Sequence, residues 1–332
     1  MGARQPQSES AHEKVGSSVT KRDERDPASS VLICTRNRPQ HLKRCLSFVA
    51  QLDFPNFEVV VVDNGSHDGA AERLAAEHGA RYVVEEVVGL SRARNRGLEV
   101  CRGEFIAFID DDAIPEADWL TQLVKAFETP EVMAVTGRVA HPDDTPVGPN
   151  HPLYPRFIVA ESAAAGIDRK TPNWFELVNF GGVGIGANMA FRRRGLQELK
   201  GFDLRLGRSA PLLGNEETYA FFSLVRRGYQ VVYNPHAIVR HPCGALRREL
   251  RTRYLKDLYG SAAYASFLFF EEPDYRQATL ECALRRVRQR LGRMNGNGNG
   301  SKPPSRFPRS QLLLAAVTGP LLYFRSRLTN NS

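Results

Sequence analysis

Short apolar segments alternate with amphipathic, helix-like segments over residues 31–140, and this alternation restricts the fold more than any other feature of the sequence. The apolar segments are rich in β-branched residues, which is typical of strands, and they span residues 31–35, 57–63, 81–85, 104–110 and 132–139. The second of them, "FEVVVVD", has no polar face, as expected of a strand covered by helices on both sides. The spacing predicts an α/β fold with a doubly wound, mostly parallel sheet flanked by helices.

Three consecutive aspartates, Asp110, Asp111 and Asp112, end the fourth predicted strand. In open parallel sheets, ligands bind beyond the carboxyl ends of the strands, so this cluster lies where a ligand is expected. One interpretation of the cluster is a solvated turn. The other is a site for a hard divalent cation, Mn²⁺ or Mg²⁺, because such ions prefer carboxylate oxygens and offset the repulsion among them.

Further polar residues are predicted at the same edge of the sheet. They follow the first two strands or lie on the helix after the third strand, and they are Thr35, Asn37, Arg38, Asp63, Arg94 and Asn95. Together they offer acceptors, donors and positive charge around a cleft of nucleotide size. Asp63 in particular can accept hydrogen bonds from a ribose or a base edge.

Five motifs occur in a defined order along the chain. They are "VLICTRNRPQHLKRCL", "VVVVDNGSHD", "GLSRARNRGLEVCRGEFIAFIDDDAIP", "GANMAFRR" and "GNEETYAFFSLVRRGYQVVYNP". In this order and spacing they resemble the motifs of the inverting family 2 glycosyltransferases, which have the GT-A fold, and the resemblance covers roughly Val31 to Pro242. The chain departs from the family pattern at Asn64 and at Glu217, because aspartate is usual at both places.

The resemblance implies that a sugar moves from a nucleoside-diphosphate sugar, predicted to be UDP-linked, to a hydroxyl acceptor, with inversion at the anomeric carbon. It implies Glu217 as the general base, with Glu216 as the alternative if the register is shifted by one residue. The implied metal ligands are Asp112, Asp110 and His241. The implied nucleotide-sugar site, in which Asp63 contacts the ribose or base and Arg94 lies against the base, comprises Thr35, Asn37, Arg38, Asp63, Arg94, Asn95, Asp110, Asp111 and Asn188.

Two other functions stay open at this stage. A sugar-phosphate nucleotidyltransferase would use the same acidic edge, but it needs a glycine-rich basic loop after the first strand, and "CTRNRPQ" contains no glycine. A non-catalytic, glycosyltransferase-like binding module has no need for Asp110, Asp112 and Glu217 together. The predicted acceptor is a glycan, a lipid-linked sugar or a small molecule. A role in the synthesis of cell-envelope polysaccharide is also predicted.

Composition divides the chain into five predicted regions. A polar, aperiodic tail (1–28) is predicted to be disordered, and residues 29–243 form the glycosyltransferase domain. A basic helical extension (244–293), a flexible linker containing "NGNGNG" (294–310) and a short apolar segment (311–332) complete the chain.

Positive charge is concentrated near the C-terminus. The formal net charge is +8, and residues 245–332 contain 16 Lys and Arg against 6 Asp and Glu. The main domain therefore lacks the basic surface of a nucleic-acid-binding protein. Five cysteines without Cys-x-x-Cys spacing indicate neither a disulfide framework nor a zinc site, and the N-terminus has no secretory signal, so a cytoplasmic location is predicted.

The apolar run 312–324 is shorter than a membrane-spanning helix, and Gly319 and Pro320 are expected to interrupt it. Upstream, Leu284, Val287 and Leu291 recur at helical spacing among arginines, as in a helix that lies at a membrane interface. Two interpretations of the tail remain: it folds back on the main domain, or it holds the protein peripherally at the cytoplasmic face of a membrane.

Overall fold

The structure is a computed structural model of the 332-residue chain. It describes residues 27–140, 165–180, 183–241, 247–294 and 309–329. The predicted disordered tail lies almost entirely outside the described residues, as does the predicted linker.

The described residues contain nine strands and ten α-helices. The strands are β1 (Ser29–Thr35), β2 (Phe57–Asp63), β3 (Arg81–Val84), β4 (Phe105–Asp110), β5 (Ile114–Pro115), β6 (Val132–Ala140), β7 (Ala165–Ile167), β8 (Asn188–Arg192) and β9 (Gln230–Arg240). The helices are α1 (Pro39–Val49), α2 (Ala70–Glu77), α3 (Leu90–Val100), α4 (Trp119–Lys125), α5 (Trp174–Asn179), α6 (Arg193–Leu199), α7 (Glu216–Arg226), α8 (Arg247–Glu271), α9 (Arg276–Met294) and α10 (Arg309–Thr329). The five predicted strands are confirmed, each to within two residues at its ends.

All nine strands lie in one sheet, in the order β3-β2-β1-β4-β8-β6-β9-β5, with β7 paired to β9. Strands β1 to β4 are parallel to one another and β6 is parallel to β9, whereas β5, β7 and β8 run antiparallel to their neighbours. Thr35 pairs with Asp63, and Cys34 pairs with Asp110. The carboxyl ends of β1, β2 and β4 therefore meet at one edge of the sheet, as the sequence predicts for its polar residues.

Helices cover both faces of the sheet. Neighbouring residues on β1 point to opposite cores, and Leu32 and Ile33 are both almost completely buried. The core around Leu32 is completed by α3, α5, α6, α7 and parts of α8 to α10, and the core around Ile33 by α1, α2 and α4. Burying each such aliphatic side chain contributes about 1.5–3 kcal/mol, so the apolar strands hold the sheet edge in place from both sides.

The C-terminal helices are fastened to the main domain. Helix α8 contributes Tyr264 and Phe267 to the core around Leu32, and α10 packs along α8. Tyr323 of α10 is buried, stacks on Phe270 with ring centroids 4.9 Å apart, and donates a 2.8 Å hydrogen bond to Glu271. The C-terminal segment therefore folds back along the helical extension, as one of the two interpretations of the tail predicts.

The predicted interruption at Gly319 and Pro320 is wrong, because α10 continues through both residues. Proline lacks the N–H that would bond to the carbonyl of residue 316, but packing against α8 holds the helix together across that gap. A Cβ atom at Gly319 would lie 2.6 Å from the carbonyl carbon of Ala262, so glycine lets the two helices approach closely. Within the described parts of the chain, no helix is both long and apolar enough to cross a bilayer.

Candidate active site

The side chains of Asp110, Asp112 and His241 form one group beyond the carboxyl ends of β4 and β9. Pairing of β5 with β9 brings these distant segments together, and Nε2 of His241 lies 3.0 Å from Oδ1 of Asp112 and 3.6 Å from Oδ2 of Asp110. One possible ligand atom from each residue lies within 4.8 Å of the others. The predicted metal ligands are therefore close enough to share one cation.

The electrostatics of this group also fit a cation. Burial opposes charge on Asp110, but contact with His241 and the charge of Arg208 outweigh it and hold the pKa below its usual range. Burial likewise opposes charge on Asp112, and His241 again lowers the pKa of that carboxyl. Oδ1 of Asp112 is buried and has no aligned hydrogen-bond donor among the described residues. Ionised carboxylate oxygens are the ligands that Mn²⁺ and Mg²⁺ prefer.

His241 responds to the same two carboxylates. Burial lowers the pKa of its imidazole, but contacts with Asp110 and Asp112 outweigh burial and raise the pKa to about 9. Without a cation the imidazolium therefore neutralises part of the acidic charge. A cation bound here would take over that role and would displace the proton of His241, because a ligating histidine is neutral.

Asp111 belongs to a different contact. Its Oδ2 accepts a 2.7 Å hydrogen bond from the Thr35 hydroxyl, and its Oδ1 accepts a 3.2 Å bond from Arg38. Arg38 also donates to Oδ2 of Asp112 at 3.1 Å, while nearly half of its side chain remains exposed. Asp111 therefore fastens the turn after β1 to the acidic cluster, and Arg38 is the member of this contact that solvent reaches.

Two adjacent glutamates at the start of α7 have different surroundings. Glu216 is buried and forms an ion pair with Arg94 at 2.5 Å, and Arg94 also donates a 3.2 Å hydrogen bond to the carbonyl of Gly186. Glu217 is half-buried and accepts a 3.3 Å hydrogen bond from the Gly186 N–H. A Cβ atom at Gly186 would lie 2.6 Å from Nη2 of Arg94, so this packing requires glycine.

The surroundings of Glu217 shift the pKa of its carboxyl. Burial first, and then the negative charge of Glu216, raise the pKa of the Glu217 carboxyl to about 7, against the lowering effect of Arg94. Glu216 is occupied by its buried ion pair. Glu217 is therefore the carboxyl of the pair that solvent reaches and that can exchange a proton near neutral pH.

Sequence similarity to known proteins identifies the family of this chain. Residues 30–200, just over half of the chain, match the model of glycosyl transferase family 2. The succinoglycan biosynthesis protein ExoM of Rhizobium meliloti is 31% identical over 230 residues, which are 66% of this chain and 68% of ExoM. The chain belongs to glycosyltransferase family 2. The glycosyltransferase AglE of Haloferax volcanii is 31% identical over 159 residues. The match covers 45% of this chain and 52%, about half, of the length of AglE.

The fold of this family 2 glycosyltransferase is similar to that of a solved mannosyltransferase, PcManGT from Pyrobaculum calidifontis, whose structure contains GDP-Man and Mn²⁺. The TM-score is 0.56 at 19% identity, over 92% of this chain and 87% of PcManGT. The likeness shows a GT-A fold. The predicted fold class is thereby confirmed, and the match to the family model confirms the predicted family.

Asp63, which is predicted to contact the nucleotide, uses both carboxylate oxygens in hydrogen bonds within the protein. Oδ1 of Asp63 accepts the Ser66 N–H at 2.9 Å, and Oδ2 accepts the Tyr82 hydroxyl at 3.0 Å. Ser66 in turn accepts a 2.9 Å bond from the backbone N–H of Asn37, whose φ of +53° places it in the left-handed region. Asp63 thus orders the loops after β1 and β2, and each carboxylate oxygen keeps a second lone pair for a ligand.

The departure from the family pattern at Asn64 has a structural reason. Its amide nitrogen donates to the carbonyls of Glu85 and Val87 at 3.1 and 3.0 Å, and its Oδ1 accepts the Gly89 N–H at 2.8 Å. Aspartate has no N–H and would present negative charge to two carbonyls. Asparagine here therefore fastens the end of β2 to the segment that leads into α3.

Replacing Asn64 by aspartate is expected to lower the free energy of unfolding by about 2–3 kcal/mol, because the buried carboxylate would face two carbonyl oxygens. Urea denaturation measures the change. The matched control is Asn37→Asp, since Asn37 is exposed and uses its backbone in the contact with Ser66. Equal unfolding free energies for the two variants would contradict this role of Asn64.

Two predicted nucleotide-sugar residues, Arg94 and Asn95, make their contacts within the protein itself. Arg94 is buried with Glu216, and it lies over Phe108 and Phe202 instead of facing an open cleft. Asn95 donates to the carbonyl of Phe202 at 2.9 Å and accepts the N–H of the same residue at 2.8 Å. These side chains hold the loop between α6 and α7 against α3, and thereby position the start of the helix that carries Glu217.

Asn188 is also placed differently from its predicted role in the nucleotide-sugar site. It is completely buried, its amide donates 2.8 Å bonds to the carbonyls of Arg138 and Ala237, and its Oδ1 accepts the Trp119 indole N–H at 2.8 Å. All three bonds join β8 to β6, β9 and α4. Asn188 therefore fixes the middle of the sheet.

Arg208 was not singled out by sequence reasoning. It is exposed, lies in the loop between α6 and α7, and its charge lowers the pKa of Asp110. Its backbone carbonyl accepts the Leu90 N–H at 3.1 Å, which fixes the loop at the start of α3. A single arginine in an irregular loop carries no sequence signal, because only the folded loop brings it towards the acidic edge.

Proposed function

We propose that this glycosyltransferase moves a sugar from a nucleoside-diphosphate sugar to a hydroxyl group of an acceptor, with inversion at the anomeric carbon. The observation that carries the proposal is the group of Asp110, Asp112 and His241 at the carboxyl ends of the strands. An anionic donor alone would be repelled by such an edge, so the edge fits a cation and a diphosphate together.

Asp110, Asp112 and His241 would hold Mn²⁺ or Mg²⁺ at this edge. The cation supplies positive charge that stabilises the diphosphate leaving group. Arg38 and Arg208 are exposed arginines near the same edge, and they add fixed positive charge for the phosphates. Thr35, Asn37, Asp63 and Asp111 order the turns that border this site.

Glu217 takes the proton from the acceptor hydroxyl as the oxygen attacks the anomeric carbon. Its raised pKa makes it a stronger base than an ordinary glutamate, and it is still largely ionised just above neutral pH. The Gly186 N–H holds one of its oxygens, and the Arg94–Glu216 pair fixes the start of α7. Attack from the face opposite the diphosphate inverts the anomeric centre.

The proposal extends to the donor, the acceptor and the compartment. UDP is the proposed nucleotide, in a cytoplasmic enzyme, and the acceptor is a glycan, a lipid-linked sugar or a small molecule. A lipid-linked acceptor would be met at a membrane surface, so peripheral membrane contact through the C-terminal tail is part of the proposal.

A screen of UDP- and GDP-sugars by thermal shift with Mn²⁺ tests the donor, followed by donor turnover. Release of a nucleoside diphosphate supports glycosyl transfer. Release of pyrophosphate from a nucleoside triphosphate and a sugar phosphate would instead identify a nucleotidyltransferase. The anomeric configuration of the product, read by NMR coupling constants, decides between inversion and retention.

The pH dependence of kcat/KM is expected to report Glu217. Because the base must be ionised, and because its pKa is raised to about 7, kcat/KM should rise with pH and level off above pH 7. Activity is lost as the pH falls through that value and the carboxyl takes up its proton. Initial rates in overlapping buffers at saturating Mn²⁺, with donor affinity measured in parallel, test this. A limb centred near the ordinary glutamate pKa of about 4.3 would contradict it.

A further inference from the structure

One face of α10 is largely exposed in the described parts of the chain, and of its apolar residues Phe324 also contacts the ring of Phe270. Ala315, Gly319, Tyr323 and Ser326 face α8 and are buried. On the opposite side, five apolar residues recur at alternating spacings of three and four and form what we call the outer stripe: Leu314, Val317, Leu321, Phe324 and Leu328. Their exposed fractions range from 50% for Phe324 to 78% for Leu328.

The outer stripe cannot turn inward. Its helix is fixed against α8 by the close approach of Gly319 to Ala262 and by the buried Tyr323, whose hydroxyl bonds to Glu271. A rotation that buried Leu321 would expose Tyr323. A contiguous apolar stripe of this size, held rigidly at the surface, marks an interaction site more often than a solvated face.

Charge around the outer stripe points to the kind of partner. The sequence of α10, residues 309–329, contains three arginines and no Asp or Glu. Arg325 and Arg327 flank the last turn of the stripe, next to Leu328. Pairing two copies of α10 through this face would bring arginines of like charge close together, which opposes self-association. A surface that is apolar inside and negatively charged outside complements both properties of the stripe.

We infer that the outer stripe of α10 docks this glycosyltransferase on a bilayer surface that contains anionic phospholipid, with the helix lying in the plane of the interface. Apolar side chains enter the boundary of the acyl chains, and the basic residues meet the lipid phosphates. The inference deepens the peripheral contact included in the proposed function and rests on it for its purpose, which is access to a lipid-linked acceptor. The docking itself needs no catalysis.

The test uses the full-length protein and vesicles of phosphatidylcholine with or without phosphatidylglycerol. The double variant Leu321→Gln/Leu328→Gln removes two exposed side chains of the stripe. The comparison variant is Leu280→Gln/Leu284→Gln, because both leucines are exposed on α9, the other helix whose apolar and basic residues suggest membrane contact. Co-sedimentation gives the partition coefficient, and size-exclusion chromatography with light scattering gives the mass of each protein without lipid.

We expect binding to anionic vesicles, weaker binding at high salt, and a partition coefficient about a hundredfold lower for the α10 variant, with the α9 variant close to the parent. Equal binding of parent and α10 variant would overturn the inference, as would a loss confined to the α9 variant. A parent dimer that the α10 variant abolishes would assign the stripe to a second copy instead.

Donor turnover separates this inference from the proposed function. Metal-dependent hydrolysis of the donor in solution should be equal in the parent and both double variants, because all four leucines are exposed on α9 and α10 and none belongs to the proposed site. Loss of vesicle binding with turnover retained would confirm docking by the stripe. Vesicle binding by a protein that turns over no nucleotide sugar would retain the docking and refute the proposed activity.

Discussion

Replacing Asp112 by asparagine is expected to lower kcat/KM by about 10³-fold or more, because the leaving diphosphate would lose the charge held at this edge. Asparagine keeps the shape of the side chain but removes the negative charge of the buried carboxylate beside His241. The thermal unfolding midpoint without metal should change little. Turnover of the donor and Mn²⁺ binding, followed by electron paramagnetic resonance, are the measurements.

The neighbouring carboxylate provides the matched control. Asp111 is bound to Thr35 and Arg38 and belongs to a different contact from the metal group. Asp111→Asn should therefore retain Mn²⁺ binding, whereas Asp112→Asn should lose it. Full turnover by Asp112→Asn in the presence of a chelator would remove the cation from the proposed mechanism.

Replacing Glu217 by glutamine is expected to lower kcat by about 10²–10⁴-fold, which is the usual contribution of a general base. Glutamine preserves size and can still accept the Gly186 N–H, so donor affinity should change little. The measurements are steady-state kinetics with a natural or surrogate acceptor and donor binding by calorimetry. A large rise in KM for the donor with kcat unchanged would place Glu217 in binding, not in proton transfer.

Glu216→Gln is the control that tests which of the two glutamates is the base. It is expected to lower the stability of the protein more than its turnover. It removes the negative charge beside the buried Arg94, and an unpaired buried charge costs about 3–5 kcal/mol of stability. We expect a protein that unfolds at lower urea concentration but whose folded fraction retains much of its turnover. If Glu216→Gln abolished turnover in a stable protein while Glu217→Gln did not, the base would be Glu216.

Local sequence patterns predicted the parts of the site that depend on strand ends. Asp63 and Asp110 terminate apolar strands, and parallel strands bring their carboxyl ends to one edge, so their proximity follows from the sheet. His241 was predicted from family resemblance, and β5–β9 pairing explains how it reaches Asp112. These predictions needed no knowledge of loops.

Tertiary packing decided what the sequence patterns missed. Arg94 and Glu216 are 122 residues apart, and nothing local in either segment indicates that they form a buried pair. A polar residue near the predicted ligand edge, such as Asn188, is readily assigned to ligand binding from sequence. In the fold, Asn188 bonds to two backbone carbonyls and to the Trp119 indole. At Pro320, contacts with α8 overrode the local tendency of Gly-Pro to end a helix.

The place of β8 between β4 and β6 governs when the nascent sheet can close. Strand β4 is complete once Asp110 has been made, but its second neighbour, Asn188–Arg192, follows roughly 80 residues later. At ~5–20 residues per second on the ribosome, this strand presents an open apolar edge for several seconds. Such an edge is a template for pairing with other chains, so the first half of this enzyme depends on rapid completion, or on shielding by chaperones, to avoid aggregation.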